Sequence, residues 1–344
     1  MKTLVTGANS LVGAHIVRAL IAEGREVRAF VRASSDLRGL DGLDIEKAVG
    51  DVLDVDSLIE AARGCSMMFH AAAVFSYRGG RARELLSVAE QGTINAVEAA
   101  KKAKIKRIVL TSSSVVLGSS PRPEVLDELK GIPESDPGVY AASKIRQEAA
   151  GFRRAAELGV DMTAVRPTLC VGPHDYRLTE SNAVIINYLS DPLRATWPGG
   201  CNIVSARDAA RAHLIVARKG KSGESYVAGS QNLRWREVHR MISELCGLQG
   251  PLITASHTSS FLAAVAQEIS CRFTGKRPLV TRAQAKMVGR FYYYGHERLA
   301  ALGYDPIPSR QALAQAISWL AASEHVPASL RNTLTLSEEV YRER

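Results

Sequence analysis

Tyr140 and Lys144 stand four residues apart in the run Tyr140-Ala141-Ala142-Ser143-Lys144. On a helix the two side chains share one face, one turn apart. A free phenol titrates near ~10 and exchanges protons poorly at neutral pH. A lysine ammonium beside it favours the phenolate and is expected to draw that pKa down toward the working range. The pair then serves as proton donor and acceptor for a carbonyl or hydroxyl group. Ordinary surface helices show the same spacing, so its meaning depends on what the rest of the chain brings to it.

The chain begins with the means to hold a cofactor. Residues 2–6 read as a short buried strand, followed by Gly7-Ala8-Asn9-Ser10-Leu11-Val12-Gly13 and an apolar-periodic helix through Ile16, Val17, Leu20 and Ile21. Strand, glycine turn and helix form a cradle for a pyrophosphate, because the first N–H groups of the helix are unpaired and its dipole is positive there. Gly7 permits the tight turn and Gly13 lets the helix pack on the strand. A second strand, 26–31, ends at Arg32, where an acidic residue would bind the ribose 2′-OH of NAD. Arg32 instead suits the 2′-phosphate of NADP, with Ser34, Ser35 and Arg38 to assist, or else it is a solvated loop residue.

A third strand, 45–49, leads to Gly50-Asp51-Val52. Asp51 is placed either to accept from an adenine amino group or to cap the next helix. Strand 67–70 runs into Ala71-Ala72-Ala73, whose small side chains let backbone approach a cofactor closely; His70 before them reads as buried and structural. A long helix over about 82–103 precedes the buried strand Ile108-Val109-Leu110, which ends in Thr111-Ser112-Ser113-Ser114. Ligands of open α/β sheets lie at such carboxyl ends, so these hydroxyls face a substrate or cap the strand. Pro137-Gly138 opens the helix of Tyr140 and Lys144, and strand 160–165 leads to Arg166-Pro167-Thr168-Leu169.

The expected fold is therefore α/β, a doubly wound Rossmann-type parallel sheet over residues 1–172, with parts of 200–230 returning to it. Beyond residue 173 the strict alternation breaks down, and a smaller α+β substrate-binding domain is expected to about residue 330. Helices are expected at 235–245, 258–273 and 312–320, a strand at 291–294, and a loose polar tail over 331–344.

Composition narrows the function. The chain has 344 residues, 44 basic against 35 acidic, and 46% hydrophobic residues, which is ordinary for a soluble domain. Its basic residues are dispersed, and the cluster Lys101, Lys102, Lys104, Lys106, Arg107 suits the end of a helix, so nucleic acid is not an expected partner. Five cysteines form no Cys-x-x-Cys pair, and eight histidines form no metal-ligand spacing, so neither a disulfide framework nor a metal site is expected. With no transmembrane segment and no signal peptide recognisable, the expected location is the cytoplasm.

In this order, Thr6–Gly13, Gly50-Asp51-Val52, His70-Ala71-Ala72, Thr111-Ser112-Ser113, Tyr140–Lys144, Arg166-Pro167-x-x-x-Val171-Gly172-Pro173 and Gly295–Tyr304 resemble the extended short-chain dehydrogenases/reductases. The similarity runs to the NAD(P)-dependent epimerase/dehydratase group, and within it to the dihydroflavonol reductase-like branch. It implies that Tyr140 donates a proton to a carbonyl oxygen as hydride arrives from the nicotinamide. Lys144 would hold the nicotinamide ribose and tune the tyrosine, and Ser113 would hydrogen-bond the same oxygen. Ser113 is chosen over its neighbours because the family's serine lies five residues before the glycine matched by Gly118. Cofactor contacts are implied for Gly7, Asn9, Ser10, Leu11, Val12, Gly13, Arg32, Asp51, Val52, Ala71, Ala72, Ala73, Thr111, Tyr140, Lys144, Pro167, Thr168 and Leu169.

The sequence departs from the family at two places. Ser10 replaces the middle glycine of the turn, and either its Cβ shifts the cofactor slightly or its hydroxyl stands in for a backbone contact. The family's Asn in an Asn-Val-x-Gly-Thr run is Ala89 here, so its water or backbone contact is either missing or supplied by a neighbour such as Gln91. The expected activity is NADPH-dependent reduction of a small-molecule ketone or aldehyde, reversible as alcohol oxidation, by a monomer or homodimer. A nucleotide-sugar epimerase or dehydratase with transient hydride transfer, and a non-catalytic NADP-binding sensor, are the alternatives.

Overall fold

Alternate residues of each central strand are apolar on both sides, so the strands are built to be covered on two faces. β1 (Lys2–Thr6), β2 (Val27–Val31), β3 (Glu46–Val49), β4 (Cys65–His70) and β5 (Arg107–Thr111) follow one another with α1 (Leu11–Ala22), α2 (Val55–Ala62) and α3 (Ala82–Lys102) between them. The computed structural model describes residues 2–72, 82–134, 137–256 and 287–343, together with Thr258, Val265 and Ala285. After the two-residue β6 (Val125–Leu126), α4 (Gly138–Leu158) crosses to β7 (Met162–Pro167). The chain then runs through β8 (Leu169–Val171), α5 (Glu180–Ser190), β9 (Ala195–Thr196), β10 (Gly200–Ser205), α6 (Ala206–Lys219) and β11 (Ser225–Ala228).

Seven of these strands form one parallel sheet in the order β11-β7-β5-β4-β1-β2-β3. The chain winds outward from β1 to β3, then returns to lay β4 on the other side of β1. Strand order reverses there, and the carboxyl ends of β1, β4 and β5 face one crevice. The period of two sorts the core into two layers. Val5, Phe69, Val109 and Val165 pack on α1 and α6. Leu4, Met68, Ile108, Leu110 and Ala164 pack on α2, α3 and α4. Each fully buried aliphatic side chain contributes about 1.5–3 kcal/mol.

The second half is built on β10, which pairs with β8, with β12 (Gln231–Arg234) and with β14 (Phe291–Tyr294). Around it lie α5, α7 (Trp235–Leu245) and the helix Ser309–Ala322. The expected helix at 235–245 and strand at 291–294 are present. Apart from Thr258 and Val265, the expected helix at 258–273 lies outside the described residues, as does the fifth cysteine, Cys271. The other four cysteines are free and buried. No helix among the described residues is long and apolar enough to cross a membrane, and no cluster among them could hold a metal ion.

The expected loose tail is a correction. Glu338–Arg342 forms a helix whose Val340 is fully buried in the second core. Glu339 pairs with Arg310, and Glu343 accepts from Gln311 and Gln315. Only one apolar residue is buried in this last helix, which is why composition reads it as free. Val340→Asp should therefore lower the free energy of unfolding by about 3 kcal/mol, the cost of an unpaired buried charge. Urea unfolding measures it, and an unchanged midpoint would mean the tail does not dock.

Candidate active site

The glycine turn closes on itself. Gly7 has φ +64°, and a Cβ there would lie 2.6 Å from the Cα of Ala72. A Cβ on Gly13 would lie 2.2 Å from the Gly7 carbonyl oxygen. No side chain fits between the turn, the head of α1 and the end of β4. Ser10 caps α1: its Oγ donates to the Gly7 carbonyl at 2.8 Å and accepts from the Gly13 N–H at 3.0 Å. The serine thus supplies a bridge that a glycine lacks. Leu11 and Val12 follow it in the first turn, where N–H groups have no intrahelical acceptor. Asn9 is spoken for, its amide donating to the Asp36 carbonyl at 3.2 Å. Ala71 and Ala72 stand against this turn, and Ala73 lies outside the described residues. These features fit a pyrophosphate at the head of α1.

At the adenosine end, Arg32 is exposed just beyond β2 and its side chain pairs with no described residue. Arg38 is not free to assist it: its guanidinium holds Asp36 at 2.7 Å and Glu324 at 2.7 Å, over the ring of Tyr176. Asp51 does not cap α2; Asp54 does, through the N–H groups of Asp56 and Ser57. One Asp51 oxygen accepts from the Leu53 N–H at 2.9 Å. Val52 is held by Asn95, whose amide donates to the Val52 carbonyl at 2.9 Å.

The three residues expected to do chemistry converge. Ser113 follows β5 and its hydroxyl hydrogen-bonds Tyr140 on α4. Ser112 has a buried Oγ with no partner, and Ser114 faces Tyr294 instead. Burial pushes the Tyr140 phenol up to about 12, with the Ser113 bond pulling the other way. The expectation that Lys144 draws this phenol down is therefore overturned. Lys144 is 4% exposed, and its ammonium donates to the Thr111 carbonyl at 3.0 Å and to Gln147 Oε1 at 2.8 Å. Burial pulls Lys144 down to about 8, against the attraction of Glu148.

Around this core the contacts are long-range. Thr111 spends its polar groups inside the protein, its carbonyl on Lys144 and its hydroxyl on His213 Nε2 at 2.8 Å. His213 Nδ1 meets the Ala209 carbonyl, which fixes the proton on Nδ1 and makes Thr111 the donor to Nε2. Glu148 accepts from Arg166, at 3.1 Å from Nε to Oε2, which ties α4 to β7. His70 lies between Thr6 and Thr93 and burial pushes it down to about 3, so it is the neutral structural histidine expected.

Pro167 ends β7 and Leu169 begins β8, while the Thr168 hydroxyl donates to Asn202 Oδ1 at 2.9 Å. Asn202, unremarked in the sequence, fills all four of its hydrogen-bonding positions: Oδ1 also accepts from the Ser230 N–H, and Nδ2 donates to Asn232 and to the Tyr294 carbonyl. Gln147 was also missed, and the role expected for Gln91 is not there: Gln91 donates to Asn95. A polar residue three positions after Lys144 was the available signal for Gln147.

Residues 3–229 match the model of the NAD dependent epimerase/dehydratase family. Among curated proteins, the chain is 32% identical to the sterol demethylase protein B of Methylococcus capsulatus, over 93% of this chain and 98% of that one. It is 33% identical to a putative dihydroflavonol 4-reductase of Synechocystis, over 92% of this chain and 93% of that one. Among solved structures, one described as gox2253 superposes with a TM-score of 0.83 at 31% identity, covering 94% of this chain and 99% of that one. The chain belongs to the NAD dependent epimerase/dehydratase family, as an extended short-chain dehydrogenase/reductase of the dihydroflavonol reductase-like branch.

Proposed function

We propose that this protein is an NADPH-dependent reductase of a ketone or aldehyde, reversible as an alcohol dehydrogenase. The observation that carries it is the meeting of the Ser113 and Tyr140 hydroxyls at the sheet's crevice, one helical turn from a buried lysine. Bound NADPH supplies a hydride. The residues then act as follows. Ser113 holds the carbonyl oxygen and stabilises the charge that develops there. Tyr140 gives that oxygen its phenolic proton. Lys144 keeps two of its N–H bonds on Thr111 and Gln147 and has a third to offer a ribose hydroxyl. The N–H groups of the first turn of α1 receive the pyrophosphate. The apolar or aromatic character of the carbonyl compound rests on the relatives named as reductases, the Synechocystis protein among them.

Arg32 supports NADPH over NADH, since its guanidinium pairs with no described residue and stands just after β2, where a 2′-phosphate would lie. Arg32→Ala should reduce the preference for NADPH by roughly 10–100-fold, the worth of one charged hydrogen bond. Steady-state kinetics with both cofactors reads it, and a wild-type preference for NADH would overturn this assignment.

Tyr140→Phe should cut kcat/KM for carbonyl reduction by roughly 10²–10⁴ while NADPH still binds. Net NADPH oxidation on a panel of carbonyl compounds is the assay; a redox-neutral epimerase would consume none. The pH dependence follows from the protonation states. Reduction needs Tyr140 protonated, and a phenol raised to about 12 stays so across the working range. Lys144 titrates first, at about 8, and loses its charge as pH rises. The profile of kcat/KM for reduction should therefore be flat on the acid side and fall as pH passes about 8. A profile rising through that region would contradict the roles given to both groups.

A further inference from the structure

The position that the family fills with Asn on the helix before β5 is Ala89, buried and without a polar group. Lys144 nevertheless has a second acceptor, Gln147 Oε1 at 2.8 Å, supplied from its own helix. The Gln147 amide has no freedom to turn over. Its Nε2 donates to Thr93 Oγ1 at 3.1 Å and to the Ala72 carbonyl at 3.4 Å, both acceptors, so only Oε1 can face the ammonium. Gln147 is 1% exposed, which removes water as a substitute. The chain of contacts continues through Thr93 to His70 Nε2, and from His70 Nδ1 to Thr6 Oγ1 at 2.8 Å. Thr6 is the residue immediately before Gly7, and Ala72 is the residue against which Gly7 closes. One side chain therefore links the ammonium to both walls of the glycine turn.

We infer that Gln147 is the positioning residue of Lys144, holding its ammonium charged and in place and setting it in register with the cofactor turn. This rests on the reading of Lys144 as the lysine of a Ser-Tyr-Lys reductase. An amide does not pass protons along as a hydroxyl or imidazole does, so Gln147 orients the lysine rather than serving as a proton relay. The other titratable groups around Lys144 are Glu148 on its own helix, His70 at the end of β4, and His213 on α6 behind Thr111. Burial lowers both histidines, to about 3 and about 4, so they stay neutral. Glu148 is bound to Arg166. None of these groups accepts from the ammonium; among the described residues its acceptors are Gln147 Oε1 and the Thr111 carbonyl.

The test follows the lysine itself, by NMR titration of its side-chain carbons in the cofactor-free protein, with Lys144→Arg to assign the signal. Gln147→Leu removes the acceptor and should lower the Lys144 midpoint by about one pH unit, while Gln147→Glu should raise it above wild type. NADPH affinity, measured by tryptophan quenching, should weaken about fivefold or more in Gln147→Leu and recover in Gln147→Glu, since the ammonium is again held. A residue that only filled space would leave the midpoint unmoved in both variants, and that result overturns the inference. If Gln147→Leu does not fold, Gln147→Glu decides alone, a raised midpoint supporting the inference and an unmoved one ending it. Should the wild type bind NADPH yet reduce no carbonyl compound, the proposed function fails while the lysine midpoint still decides the role of Gln147.

Discussion

A lysine ammonium held away from water must find acceptors or give up its proton, and much of this molecule is arranged around that requirement. Lys144 is almost fully enclosed, and a buried charge left unpaired costs several kcal/mol. Its acceptors come from two directions, a carbonyl at the end of β5 and an amide one turn along α4. Each acceptor is itself held: Thr111 by His213 on α6, Gln147 by Thr93 on α3 and by the backbone after β4. The lysine is thus wired to both layers of helices that cover the sheet. The Arg166–Glu148 pair adds a clamp between α4 and β7, so the helix of Tyr140 and Lys144 cannot slide along the sheet without breaking a largely buried ion pair.

The same enclosure explains why the phenol sits high. Desolvation acts on Tyr140 and Lys144 in opposite senses, favouring the neutral form of each. The two pKa values, nearly equal at about 10 and about 10.5 in the free side chains, are driven apart in opposite directions to about 12 and about 8 here. The outcome is a phenol that stays protonated through neutral pH beside a lysine that keeps its charge only below about 8, which makes the acceptors of that ammonium matter.

What could be read in the sequence was what local chemistry determines. Gly7 and Gly13 mark a turn that admits no side chain, and Tyr140 and Lys144 mark one helix face; these need no knowledge of distant residues. The winding order of the sheet followed from strands alternating with helices. Asn202, His213 and Thr93 are silent in the sequence because their partners lie far along the chain, as with Thr111 and His213; Gln147 shows only its spacing from Lys144, not the Thr93 contact that orients it. Their residue types are common on surfaces, and only the fold brings them to buried partners. The tyrosine pKa was misjudged for a related reason. Spacing gives the distance between two side chains on a helix, but the ammonium was already committed to acceptors that spacing does not reveal.

Asn202 carries a consequence for motion. Its amide bonds Thr168 at the exit of β7, Ser230 just after β11, and Asn232 and Tyr294 in the second sheet. Asn202 itself lies on β10 of the second sheet, so swinging one half against the other would break its bonds to Thr168 and Ser230, leaving its buried amide oxygen stranded away from water. The two sheets are therefore welded near the crevice rather than hinged.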